Sequence, residues 1–467
     1  MYRSLYYGAP VSLPVCSKLK GMKKKPLPPR VLGGLDKLFI GIMLAIFAGI
    51  VVHAPLTVWL GTVLPGLDLQ IKAWKEILMG VGAVIAATIV IRQKRWDILK
   101  SPWLFLAGVY ILWHVLLIPL FFTNLTATAA GLLIDLRYVV FFGLMVVLVQ
   151  LYPQLRRLFL WVFAVGLALV AVFALLQVFV LPPDFLTAIG YGDETISPYL
   201  TVDENPDYVR INGTLRGPNP LGAFAVIGLA AAAAIWLRGQ VRPKGWWLAL
   251  AGVVTTGLFV ALWTSYSRSA LVAAVVALGL VFLLTVGRQL HRWVWITLFV
   301  VAFAITGGVY AARDTSFVSN VILHENEGTG ATVSSNDGHI ESLIDGTDRL
   351  VRQPLGAGIG STGSASLFTS QPVIIENQYL FIAHEVGWIG LALFLLLFGR
   401  VLLVAWRRRS DWLALAVLSS GLGLALIGLL LPVWVDDTVS IIWWGLAALA
   451  VGGRDERAIH KTPKRTA

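Results

Sequence analysis

The sequence predicts an all-α integral membrane protein with about 12 transmembrane helices and a large outer-face loop containing short amphipathic helices. Three observations carry this. Of 467 residues, 57% are hydrophobic and only 13% charged, with a mean hydropathy of +0.79, far from an ordinary soluble domain. The apolar residues gather in blocks of roughly 20, the length a helix needs to cross a bilayer. The charged residues between the blocks segregate by sign.

In chain order, residues 1–35 form a basic, proline-containing arm (KLKGMKKKPLPPR) without an apolar core. It reads as a cytoplasmic tether, not a cleavable signal peptide. The polytopic domain spans 36–453, with apolar blocks near 37–54, 73–91, 102–121, 129–150, 157–181, 219–237, 246–264, 269–287, 293–311, 378–406, 412–433 and 437–452. Residues 454–467 form a basic tail. Two connections are long, 182–218 and 312–377, and the turn around 57–72 is expected to lie along the interface. The 18 Trp and 22 Phe suit rings at the membrane–water boundaries.

Charge sets the orientation. With both termini cytoplasmic, the inner segments hold 28 of the 37 Lys and Arg, while the remainder holds about 20 of the 25 acids. That asymmetry follows the positive-inside rule, and it places both long loops outside. The net charge of +12 lies in short loops and not on one face, so anionic membrane lipids are the expected partner and nucleic acid is not. A single cysteine, Cys16, excludes an intrachain disulfide and a cysteine-based metal cluster.

Basic residues are scarce on the outer side, so those that remain ask for a reason. Arg137 lies inside an apolar block (LLIDLRYVVFF), two residues after Asp135. Such a charge faces a cavity or forms a structural pair with that aspartate. Arg210 and Arg216 flank INGTL ahead of GPNPLG, which marks a helix start, and helix N-termini attract anions. Arg268, in LWTSYSRSALV, occupies a very short outer turn, where a guanidinium can fork onto phosphate oxygens or simply anchor the helix. In the long loop, residues 339–352 place Ile340, Leu343, Ile344, Leu350 and Val351 on one helical face, with Glu341, Asp345, Asp348, Arg349 and Arg352 mostly opposite. The pattern is that of a surface-lying amphipathic helix. The glycine-rich turn PLGAGIG at 354–360 is one that presents backbone N–H groups to an anion. Glu376 stands where the loop re-enters the membrane, a place for a carboxylate to act as general base. Glu385, deeper in the apolar helix, reads as a packing residue hydrogen-bonded to a neighbouring span. The seven His are scattered and no metal-ligand spacing occurs, so neither metal nor cofactor is expected.

Taken in order over about residues 210–390, four stretches resemble the O-antigen ligase and polymerase superfamily of bacterial membrane glycan-transfer proteins. They are RINGTLRGPNPLGAF before a span, LWTSYSRSAL at a short outer turn, SSNDGHIESLIDGTDRLVRQPLGAGIGS in the large loop, and ENQYLFIAHEVGWIGL after it. The resemblance implies a GT-C-like helical architecture. It further implies a polyprenyl-pyrophosphate-linked glycan donor reached at the outer leaflet, and a glycan or lipid acceptor hydroxyl. Arg210, Arg216, Arg268 and Arg349 would then stabilise the pyrophosphate, with Asn377 and Arg137 as further substrate-side residues. Position 376 matches the place where the ligases carry a His followed by Asn. Here Glu376 stands there with Asn377 retained, which brings a polymerase, or a ligase for another surface polymer, into play. His339 and Glu341 are the other candidate bases.

The expected function is therefore glycan transfer or polymerisation at the outer face of a bacterial cytoplasmic membrane. The alternative is a multi-spanning secondary transporter or lipid-linked glycan flippase, which would put paired charges at the bilayer midplane and broken helices in both halves.

Overall fold

A computed structural model describes residues 32–202, 205–240, 244–313, 315, 318–319 and 335–453; the basic arm to residue 31 and the tail from 454 lie outside the described residues. Every apolar block of the sequence forms a helix over most of its length. The helices are α1 (Gly34–Val63), α2 (Trp74–Arg92), α3 (Pro102–Phe121), α4 (Leu125–Leu151), α5 (Arg156–Phe179), α6 (Pro218–Arg238), α7 (Trp246–Thr264), α8 (Arg268–Thr285) and α9 (Arg292–Ala311). The loop helix α10 (Ser335–Arg352) follows, then α11 (Gln378–Arg407), α12 (Trp412–Ile427) and α13 (Asp437–Val451). Among the described residues nine helices are long and apolar enough to cross a membrane, and α12 and α13 are shorter apolar helices. Their starts are chemically marked. Pro102 and Pro218 occupy first-turn positions, and Asn124, Asn377, Asp411 and Asp436 cap α4, α11, α12 and α13 through their side chains.

The most enclosed helices are α4, α6, α12 and α13. Around them pack α1, α2, α3, α5, α7, α8 and α11. Beneath one end lies an aromatic core in which Tyr138 stacks on Trp444 at 5.5 Å and Trp443 meets Trp444 edge-on at 5.1 Å. Some tryptophans do sit exposed near helix ends, as Trp246 and Trp293 do, but Trp434, Trp443 and Trp444 are fully buried. The aromatic content thus serves packing as well as the membrane boundary.

Segments expected on the same side meet each other. At the basic end Arg238 donates to the Arg409 carbonyl (2.8 Å), Arg408 to the Ala450 carbonyl (3.1 Å), and Arg156 pairs with Asp411 at 3.1 Å. Arginine at the last carbonyls of a helix satisfies its free acceptors and its negative dipole end.

Three departures from regular helices shape the other end. First, α1 tightens into a 3-10 turn at Ile50–Val52, and the carbonyls freed there accept from Thr438 (3.0 Å) and Thr214 (2.6 Å). Second, α12 and α13 have only 16 and 15 residues. Each is thus about 24 Å long or less, short of the roughly 30 Å hydrocarbon core. The sequence reading ran the eleventh span to 433; the helix ends at Ile427, and the Gly428–Asp436 linker dips into the protein instead. Backbone buried there must find partners. Gln378 supplies two, its N–H donating to the Gly428 carbonyl (2.8 Å) and its Oε1 accepting from Trp434 N–H (2.7 Å). Asn377 Nδ2 donates to the Leu429 carbonyl at 2.8 Å. Gln378→Ala would orphan the Trp434 N–H and should cost about 1–3 kcal/mol, read as a lower melting temperature in detergent. Third, α11 is broken at Gly387, whose φ of +69° lies in the left-handed region.

The first long connection, 182–218, is not merely loop. It carries a small antiparallel hairpin, β1 (Leu200–Val202) with β2 (Asn205–Arg210), registered Leu200 to Arg210. The 57–72 turn continues α1 to Val63 and then forms a short exposed helix, Asp68–Lys72.

Candidate active site

Several helix N-termini lie at the end that carries the long loops, among them those of α6, α8, α11 and α13. Two are closed by their own side chains: Asn377 Oδ1 accepts from Tyr379 and Leu380 N–H, and Asp436 accepts from Val439 N–H. For α6 and α8 no side-chain cap is formed at Gly217 or Ser267. Each of these two uncapped starts is led by an arginine, Arg216 just before α6 and Arg268 as the first residue of α8.

The two starts are held together. Gly222 of α6 approaches the α8 turn so closely that an added Cβ would meet Ala270 at 2.8 Å and Ser265 Oγ at 2.9 Å. Arg210 ties the same elements, its Nε donating to the Ser265 carbonyl (2.9 Å) and its Nη2 to Asn219 Oδ1 (2.8 Å). The intervening turn is strained: Tyr266 has a φ of +46°, uncommon for a bulky residue. Its ring packs edge-on against Tyr208 at 6.3 Å, and burial together with that neighbour pushes its phenol up.

Beside these starts lies a buried polar cluster. Asp437, at the start of α13, accepts from Lys75 (3.1 Å), from His53 Nε2 (2.9 Å) and from Arg137. Glu76 faces Lys75 at 3.2 Å and Arg137 at 3.6 Å, and Arg137 Nη2 donates to the Val435 carbonyl of the sunken linker at 2.9 Å. Trp74 Nε1 donates to His53 Nδ1 (2.9 Å), which leaves Nε2–H for Asp437. Arg216 is close enough for its charge to act on Asp436 and Arg137. The arginine side and the linker are therefore one neighbourhood.

The loop side meets the same linker through α11. Helix α10 packs along the first turns of α11, where Gly346 lies against Leu380 and Ile375. Glu376, half-buried, hangs from α10 by its backbone N–H, which donates to Ser342 Oγ at 3.0 Å. Trp388 Nε1 donates to the Leu350 carbonyl at 2.7 Å. On α10, Ile344 and Val351 remain exposed, as a helix lying at a lipid surface requires.

The glycine-rich turn behaves differently from its expectation. It does meet a carboxyl group, but one that belongs to the protein. Glu385 Oε2 accepts from Gly360 N–H (3.1 Å) and Oε1 from Thr362 N–H (3.2 Å). The Ala357 and Gly358 N–H groups donate to the His384 and Glu385 carbonyls that the break in α11 exposes. Residues 354–362 are thus a re-entrant plug. Gly360 touches α4 so closely that a Cβ would lie 2.2 Å from the Ala127 carbonyl oxygen. Gly360→Ala should therefore unseat the plug and lower the yield of folded protein several-fold, measured by size-exclusion chromatography in detergent.

Several expected residues land elsewhere than foreseen. Arg137 does not pair with Asp135: residues two apart on a helix point to different sides, so Arg137 reaches Glu76 and Asp437 while Asp135 lines the same small cavity as Glu385. Arg137 is also enclosed, at 7% exposure, and so supports the site without opening onto it. Asn377 is spent on the α11 cap and the linker. Arg349 lies along α10 with Nε donating to Asp345 at 2.8 Å. Glu341 is exposed on α10. His339 belongs to α10, its side chain outside the described residues. Arg210, Arg216 and Arg268 do converge. The sequence reading missed His53, Lys75, Glu76, Gln378, Asp436 and Asp437; the signals available were KE at the start of an apolar block and VDD at the start of the last one.

Residues 255–395 match a family described as O-Antigen ligase. The matched stretch runs from α7 through α8, the large loop and the first part of α11. An O-antigen polymerase of Salmonella muenchen is 23% identical over 214 residues, which cover 44% of this chain. The aligned region spans 50% of that relative's length.

Proposed function

We propose that this chain, which is similar over residues 255–395 to the O-antigen ligase family, transfers or polymerises a polyprenyl-pyrophosphate-linked glycan onto an acceptor hydroxyl. The reaction takes place at the outer face of the bacterial cytoplasmic membrane, in surface-polysaccharide biosynthesis, with both termini cytoplasmic. One observation carries the reading: two adjacent helix starts without side-chain caps, each led by an arginine, lie at the end where the 428–436 linker anchors Asn377 and Gln378, the neighbours of Glu376. A doubly charged leaving group is what such a place would stabilise.

The polar work is divided among the chain's own residues. Arg216 and Arg268, with the Asn219 N–H of α6, whose neighbours Pro218 and Pro220 carry none, and the first-turn N–H groups of α8, hold the pyrophosphate of the donor. Arg210 fixes the two starts, and Arg137 fixes the linker behind them. The polyprenyl chain stays in the outer leaflet, and a second glycan or a lipid presents its hydroxyl from the loop side. Glu376 takes the hydroxyl proton as oxygen attacks the anomeric carbon, and the bond from that carbon to the pyrophosphate oxygen breaks. Glu341, one turn of α10 from this segment, and His339 are the alternative bases; Arg349 borders the acceptor side.

Glu376→Gln keeps the shape and removes the base, so transfer should fall by about 10²–10⁴-fold with normal protein levels. Purified protein incubated with polyprenyl-pyrophosphate-linked glycan tests the reading as a whole. A ladder of products means polymerisation, and a single transfer to added acceptor means ligation. No turnover, with movement of the lipid-linked glycan across vesicles, would mean transport instead.

A further inference from the structure

Asp135 and Glu385 form a carboxyl pair that the transfer reaction does not use. Asp135 lies ten residues into α4, about 15 Å along its axis, and Glu385 lies on α11 just before the Gly387 break. They are 8% and 1% exposed, and both side chains line one small cavity. It has a volume of about 10 Å³ and is bordered also by Tyr110 and His114 of α3, Tyr138 of α4 and Gln378 of α11. That is room for roughly one water. No lysine or arginine lines it.

Two ionised carboxylates cannot share such a site, and a hydrogen bond between carboxyls needs one proton. The location of that proton follows from the donors. Both Glu385 oxygens already accept backbone N–H groups of the plug, from Gly360 and Thr362, which favours the ionised form there. Asp135 Oδ2 has no hydrogen-bond partner. His114 Nδ1 is committed to the Tyr110 carbonyl at 2.9 Å.

We propose that Asp135 and Glu385 share one proton, carried by Asp135, and are the positioning pair that locks the 354–362 plug into the break of α11. The lock holds the segment that runs from α10 through the plug to Glu376. Its effect on transfer rests on the function proposed above; the shared proton does not.

Infrared spectroscopy of the purified protein in nanodiscs at neutral pH tests the proton directly. A protonated-carboxyl C=O band is expected in the wild type and should vanish in Asp135→Asn. The same variant should keep transfer within about threefold of wild type, because the amide N–H replaces the donated O–H. Asp135→Leu and Glu385→Gln should each lose roughly tenfold or more; glutamine turns an NH₂ toward the plug's own N–H groups. Absence of the band would overturn the shared proton. An inactive Asp135→Asn at normal membrane level, or a fully active Glu385→Gln, would overturn the positioning role. The band is read without turnover, so it stands or falls apart from the reaction.

Discussion

Arg268→Ala should reduce glycan transfer by about 10²–10³-fold, the usual loss when one preorganised charge on a developing anion is removed. The protein should still reach the membrane at normal levels. Arg268 is half-buried at the first position of α8, where the side chain adds little to helix packing. Arg268 opens its helix at the turn held against the start of α6, where the two helix starts favour a bound anion. Lysine should not restore full activity, because a point charge cannot fork onto two phosphate oxygens. Transfer assayed with saturating acceptor, against immunoblotted membrane levels, separates lost chemistry from lost protein. Activity near wild type would remove Arg268 from the site.

Arg137→Ala should act on stability first. The substitution leaves Asp437 and Glu76 buried with Lys75 as their remaining cation, and it strips the Val435 carbonyl of its donor. Removing one partner of a buried ion network costs about 3–5 kcal/mol, more than the pair itself contributes. Detergent-solubilised protein should melt at a markedly lower temperature, with little folded material recovered. Any activity left should be low, since the linker that Arg137 holds also anchors the start of α11. A variant as stable as wild type would show that the cluster is not closed as described.

The spans were legible because a bilayer imposes a length and a composition that the chain displays directly. The convergence of Arg210, Arg216 and Arg268 was legible too, because few arginines lie on that side and each precedes an apolar block. What stayed hidden depended on depth. The stretch from 412 to 433 is apolar throughout, so hydropathy alone cannot tell the end of α12 at Ile427 from the sunken GLLLPVWV that follows; Gly428 and Pro432 were the hints. Asp135 and Arg137 looked like partners by proximity in sequence, yet helical geometry sends them to different neighbours. The PLGAGIG turn suggests N–H groups aimed at an anion, yet its Gly360 N–H goes to Glu385 and its Ala357 and Gly358 N–H groups to backbone carbonyls, which is a tertiary fact. Local chemistry predicts what a group wants, and only the fold decides what supplies it.

The most direct test of the site is the binding of polyprenyl pyrophosphate, followed as thermal stabilisation in detergent at fixed lipid. Wild type and Glu376→Gln should both be stabilised, since the base takes no part in holding the leaving group. The Arg216→Ala/Arg268→Ala double variant should show little or no stabilisation. Equal stabilisation of all three would contradict an anion site at the starts of α6 and α8.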